Sequence, residues 1–176
     1  MTNRLSCPIP TNINPLSPNG FMFSIQKLPS VTFFCQEASI PSMILGSPTF
    51  NNPFASIPLQ GEMLSFEPLK LQFLIDEDML NYKAVHHWMV GLGFPENYNQ
   101  YIDFTAEDTL SISEVSKGYS DATLTILGSN NVAVQSIRFI DTFPTNIESL
   151  SFQSTNNDVR YLVGSVSFKY SYYKFA

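Results

Sequence analysis

Positive charge is what this chain has least of. Lys and Arg number 9 against 15 Asp and Glu in 176 residues, a formal net charge of −6. No basic run occurs, so capture of nucleic acid, which needs clustered Lys and Arg against phosphate, is excluded as the main activity. Charge of either sign is scarce: charged residues make up 14%, well below the roughly 25% of ordinary soluble domains. Such a chain covers its exterior with Ser, Thr, Asn and apolar groups, a surface suited to burial against neighbours. Cysteine is limited to Cys7 and Cys35, outside any CxxC pair. That excludes a disulfide framework and points to two free thiols in a reducing compartment. No stretch approaches the roughly 20 apolar residues of a membrane span, and the Pro-, Asn- and Ser-rich start has no apolar signal core. The expectation is a soluble protein with no membrane partner and no classical export signal.

Catalytic signatures are missing as well. His86 and His87 are the only histidines, and adjacent residues on a helix point about 100° apart. They cannot easily share one ion, and zinc-binding helices space their ligands at i, i+4. Asp76-Glu77-Asp78 reads as a helix entry, not as an acid–base pair. There is no GxSxG elbow, no Cys-His motif and no phosphate-cradling glycine loop. The sequence therefore predicts no enzyme, no metal and no cofactor.

What is present is aromatic and β-forming. The chain has 15 Phe and 8 Tyr, with 44% hydrophobic residues. At this length one domain is expected, burying roughly 70% of its unfolded surface. The central stretch runs from Phe66 to Gly93. Leu69, Leu71, Phe73 and Ile75 alternate with Lys70, Gln72 and Leu74, as in a strand that buries one face. After the acidic turn, Leu80, Ala84, Val85, Trp88, Met89 and Leu92 form a stripe at helical spacing. Gly91, Gly93 and Pro95 stop the helix. Trp88, the only tryptophan, anchors that helix on a sheet, with Leu80 and Ala84 beside it.

Around this stretch, residues 1–20 read as an extended Pro-rich arm and 21–176 as one β domain. Phe21, Phe23 and Ile25, a turn from Lys27 to Ser30, and then Val31, Phe33 and Cys35 predict a hairpin. Ile40 to Ser65 is broken by Pro41, Pro48, Pro53 and Pro58, yet keeps Met43, Ile44, Leu45, Phe50, Phe54, Ile57 and Leu59. A loop this apolar is expected either to fold back on its own domain or to pack on another subunit, and the second is the favoured expectation. Glu96 to Asp108 reads as a polar connection. Ala122, Leu124 and Ile126 begin a β-rich final third, with a turn at Gly128 to Asn131 and a strand returning from Val132 to Phe143. Pro144-Thr145-Asn146 breaks the chain, and Leu150 and Phe152 start a short strand. Thr155 to Asp158 turns again, and a long last strand runs from Arg160 to Phe175. The predicted fold is mainly β: a small antiparallel β-barrel or sandwich with one packed α-helix at about residues 79–91.

Three groups of residues, in order, resemble the tail tube protein family of contractile-tailed bacteriophages of the T-even type, whose fold is shared with secretion-system tube proteins. The first is Phe33-Phe34-Cys35-Gln36-Glu37-Ala38 followed by Ile40-Pro41. The second runs from Ile57-Pro58-Leu59-Gln60-Gly61 through Phe66 and Leu71 to Asp76-Glu77 and Trp88. The third is Phe143-Pro144-Thr145-Asn146-Ile147 with the aromatic close from Tyr170 to Tyr173. The arm at 1–19 and the long connection at 96–117 depart from the family pattern.

The resemblance implies a structural virion protein whose subunits close into hexameric rings that stack into the inner tube of a contractile tail. Assembly occurs in the host cytoplasm. The implied partners are further copies, the tail sheath protein, and baseplate and tail-terminator proteins, with DNA passing through unbound. A baseplate-proximal initiator or adaptor ring of the same fold is the alternative. From a different class, the Tyr-rich strands suit a β-sandwich adhesion or sugar-binding module. Within the tube reading, Ile44, Phe50, Phe54 and Ile57 are the inter-ring residues. Asp121, Thr123, Thr125 and Gln135 are the channel-lining candidates, because Leu124 and Ile126 must face the core and their alternates must face water.

Overall fold

The computed structural model describes residues 13–107, 118–153 and 161–176. Strands β1 (Phe21–Ile25), β8 (Ser120–Leu127), β9 (Ala133–Ile147), β10 (Val163–Lys169), β7 (Leu69–Leu74) and β2 (Cys35–Ala38) follow one another in a mainly β, antiparallel sheet. β11 (Tyr172–Phe175) pairs with β9. The fold class is the one the alternation predicts.

The pairing is not. The expected hairpin between residues 21 and 36 does not form: β1 pairs with β8, and β2 with β7. Residues Pro29–Phe34 are a short helix, α1, with Pro29 in its first turn, where proline's fixed φ suits helix entry. Val31 is fully buried from that helix; over a single helical turn the apolar spacing of Val31, Phe33 and Cys35 does not distinguish helix from strand. β9 runs through Pro144 without breaking; Pro144 stays in register with Phe168, and the β9–β10 ladder bulges just beside it, between Ser167 and Phe168. Leu150 and Phe152 lie in irregular chain. The long last strand is two strands, β10 and β11, interrupted at Tyr170-Ser171. The expected turn at 155–158 and residues 1–12 lie outside the described chain.

Three helices are described where the sequence predicts one. In α2 (Leu80–Gly93) the helix entry is built by Asp76, whose carboxylate accepts the N–H groups of Leu80 and Asn81 at 3.1 Å each. Met79, in the left-handed region at φ 55°, turns the chain into the first helical residue. That entry sets the rotation of the helix. The buried face is Asn81, Val85, Trp88 and Gly91, which keeps Val85 and Trp88 of the predicted stripe but puts Asn81 where Leu80 was expected. Leu80, expected to dock the helix, is instead 58% exposed. Asn81 takes the inward position and donates its side-chain amide to the Leu74 carbonyl at 2.7 Å. Ala84 is half-buried against the core.

α3 (Asn99–Glu107) occupies the segment expected to be a connection. It lies so close to α2 that a Cβ on Gly91 would come within 2.5 Å of the Phe104 ring; only glycine allows the approach. Between sheet and helices sits one core, which includes Phe23, Leu71, Phe73, Val85, Trp88, Leu124, Ile137, Phe139, Val166 and Phe168.

Candidate assembly interface

Residues 39–67 do not form a loose loop. They leave the β2–β7 ladder as an arm of two hairpins, β3 (Met43–Leu45) with β6 (Leu64–Phe66), then β4 (Thr49–Asn51) with β5 (Ser56–Pro58). The tiers are joined by Gly46 N–H donating to the Met63 carbonyl at 2.9 Å and Leu59 N–H donating to the Pro48 carbonyl at 2.8 Å. Gly61 passes so near Gly46 that any Cβ there would run into the Gly46 carbonyl. At the tip the Asn52 carboxamide accepts from the N–H groups of Phe54 and Ala55, a side-chain turn that holds the bend.

This ordered arm is apolar and wet. Ten large hydrophobic side chains from Ile40 to Leu64 are exposed, Phe54 at 97%, and Glu62 is the single charge between Ile40 and Ser65. A free chain rarely presents a contiguous apolar surface of this extent unless another molecule covers it. Ile44, Phe50, Phe54 and Ile57 all belong to it.

The second surface is the solvent face of β1, β8, β9 and β11. The register places Ser24, Thr123, Arg138 and Lys174 in one cross-strand row, and Met22, Thr125 and Ser136 in the next. Asp121 is on this face too, but it does not offer a free carboxylate: Arg138 holds it at 2.6 Å. Asp141, in the left-handed region at φ 55°, accepts the Ser171 hydroxyl at 3.0 Å and marks the bulge where β9 bends from β8 towards β10. Gln135 must be removed from the set. It alternates with Ser136 and falls on the same side of β9 as Ile137 and Phe139, where its amide donates to the Ala176 carbonyl.

Among the described residues no three His, Cys, Asp or Glu groups gather as a metal site. No helix there is long and apolar enough to cross a membrane. His86 and His87 are both exposed.

The sequence matches the family described as phage tail tube protein over residues 5–176. The chain belongs to the phage tail tube protein family. No curated protein matches it significantly. Solved structures share the fold of this tail tube protein at low identity. A chain of the anti-feeding prophage tube-terminating cap superposes with a TM-score of 0.61 at 12% identity, covering 99% of both chains. A chain of the anti-feeding prophage baseplate gives 0.59 at 12% identity, covering 93% of the tail tube protein and 96% of that chain. A chain from the extended sheath–tube complex of an extracellular contractile injection system gives 0.53 at 14%, covering 92% and 91%.

Among the described residues, two titratable groups of the tail tube protein are displaced from their ordinary range. Burial pushes the Cys35 thiol up to about 11 from 9.0, with a smaller lowering effect from a backbone hydrogen bond at Glu37. Burial, with the Tyr173 and Glu67 charges, pushes the Tyr170 phenol up from 10.0 to about 12. Both groups hold their proton more tightly when folded. Their contribution to stability is therefore complete below the unfolded values and is lost as pH rises through about 9–12. In a Cys7→Ser background, Cys35 should react with iodoacetamide at pH 8 about 100-fold more slowly in the folded protein than in urea, because thiolate is the nucleophile. Equal rates would show that the thiol is not shielded.

Proposed function

We propose that six copies of this tail tube protein close into a ring and that rings stack into the inner tube of a contractile tail, which conducts DNA. The observation that carries the ring is the pair of open strand edges. Among the described residues β1 pairs only with β8, and β11 only with β9. Each step from β1 through β8 and β9 to β11 is antiparallel, so β1 and β11 run in opposite directions. The β1 edge of one copy then continues the β11 edge of the next with the antiparallel alternation unbroken. Exposed edges of this kind are otherwise a liability. A head-to-tail contact that closes makes a ring.

The solvent face of this sheet then lines the bore. Its Ser and Thr rows carry no net field, since Asp121 and Asp141 offset Arg138 and Lys174. A neutral, hydroxyl-rich wall offers phosphate no cluster of cations to grip, so the polymer slides. The apolar arm makes the contact between rings. Sheath, baseplate and terminator proteins complete the partners, and the virion tail is the location after assembly in the host cytoplasm.

Negative-stain imaging of the purified protein tests the assembly: rings or filaments about a central hole are expected, and a monomer at high concentration overturns it. A ring that never lengthens would favour an initiator or adaptor ring over the repeating tube. The bore is tested with Thr123→Cys in a Cys7→Ser, Cys35→Ser background. A small thiol reagent should label assembled tubes while one too large for the channel labels only dissociated subunits. Equal labelling of tubes by both would put Thr123 outside.

A further inference from the structure

An apolar groove of about 330 Å³ opens beside β1, lined by Phe21, Met22, Phe23, Thr32, Cys35 and Leu127. None of these residues carries a charge. At the other margin of the same sheet, Phe66 of β6 packs on Tyr173 of β11 with ring centroids 5.6 Å apart and on Tyr170 at 5.9 Å. The Tyr170 hydroxyl donates to the Glu67 carbonyl at 2.9 Å. These contacts fix the lower hairpin of the arm next to the open edge of β11. Its register sets Met43 opposite Phe66 and Leu45 opposite Leu64, so the four share one apolar face. Phe66 is covered by its own chain. Met43, Leu45 and Leu64 run on beyond it, exposed at 54%, 48% and 52%.

We propose that this face of the lower hairpin, carrying Met43, Leu45 and Leu64, seats in the β1-side groove of the neighbouring copy within the ring. The inference rests on the ring reading above and adds the partner of each surface. Joining β1 of one copy to β11 of the next brings the groove and the hairpin to the same junction, since each borders one of the two joined edges. Strand pairing over four or five residues covers only part of the roughly 800 Å² per partner that a stable interface buries. The hairpin and groove supply apolar area where the sheet edge supplies hydrogen bonds. The arm is thereby divided in two: its base holds the ring together, and its tip, with Phe54, reaches the next ring.

Cysteine pairs test this in the Cys7→Ser, Cys35→Ser background, using full-length protein under assembling conditions and a short bismaleimide. Phe21→Cys with Leu45→Cys reports groove against hairpin, because Phe21 lines the groove on the same side of the sheet as the hairpin; Ser24→Cys with Tyr172→Cys reports edge against edge. Leu45, Ser24 and Tyr172 are solvent-exposed and Phe21 is only half-buried, so the variants should fold. The expected result is a covalent ladder extending to the full ring from each pair, with no species above a dimer from any single-cysteine variant. An edge ladder without a groove ladder would overturn the seating of the hairpin and leave the ring intact. A groove pair linked only at monomer size would overturn it too, by showing that the hairpin reaches the groove of its own chain. Absence of both ladders, with no rings in images of the same sample, would remove the ring reading and the seating with it.

Discussion

Trp88→Ala should cost about 3–5 kcal/mol of folding stability, the usual penalty for emptying a buried tryptophan site. Trp88 is 2% exposed. Its ring lies 6.1 Å from that of Phe168, and Lys27 Nζ sits 5.6 Å from its centroid. The indole N–H donates to the Gly118 carbonyl at 3.0 Å, which ties α2 to the segment that leads into β8. Removing the ring leaves a cavity between helix and sheet and an unmatched buried carbonyl. Against a total stability of about 5–15 kcal/mol, a loss of that size lowers the urea midpoint steeply and leaves much of the protein insoluble. Trp88→Phe separates the two contributions. It keeps most of the volume and loses only the donor, so its cost should be about 1–3 kcal/mol. If Trp88→Ala melts within a degree or two of the parent, the helix is not held to the sheet through this side chain.

Phe54→Asp should abolish stacking while leaving the subunit as stable as before. Phe54 is 97% exposed in the free chain, and substitutions at such positions usually stay within about 0.5 kcal/mol. The tip does not need the phenyl ring to keep its shape. The Asn52 side chain accepts both the Phe54 and Ala55 amides, and Asn52 N–H donates to the Ala55 carbonyl at 3.0 Å. A carboxylate placed there is harmless in water and strongly unfavourable once an apolar partner surrounds it without a counter-charge. Rings should still appear in images, with an unchanged melting temperature and no filaments. Filaments of ordinary length from Phe54→Asp would show that the tip stays wet after assembly.

These two substitutions also divide what could be read from residue order from what could not. The alternation of Leu69, Leu71 and Phe73 is a local pattern, and a strand that buries one face must display it wherever it pairs. The carboxylate at Asp76 answers a need of the helix beginning four residues later, also local. The apolar arm with almost no charge was visible as a stretch that water alone does not suit. Other features rest on contacts between residues far apart in the chain, and composition carries no trace of those. Which strand lies beside β1 depends on Leu124 and Phe23 meeting across about a hundred residues. The inward turn of Asn81 in place of Leu80 depends on the Leu74 carbonyl and on Met79 taking a left-handed backbone. α3 was concealed because its inner side is set by one aromatic ring, Phe104, lying on Gly91. Gln135 was misplaced for the same reason: on a pleated strand one residue of register exchanges the two faces, and the register of β9 is set by its bulges. Periodicity is a property of neighbours in sequence and could be read directly. Pairing, register and helix rotation are set by the free energy of the whole packed core, and only the tertiary structure decides them.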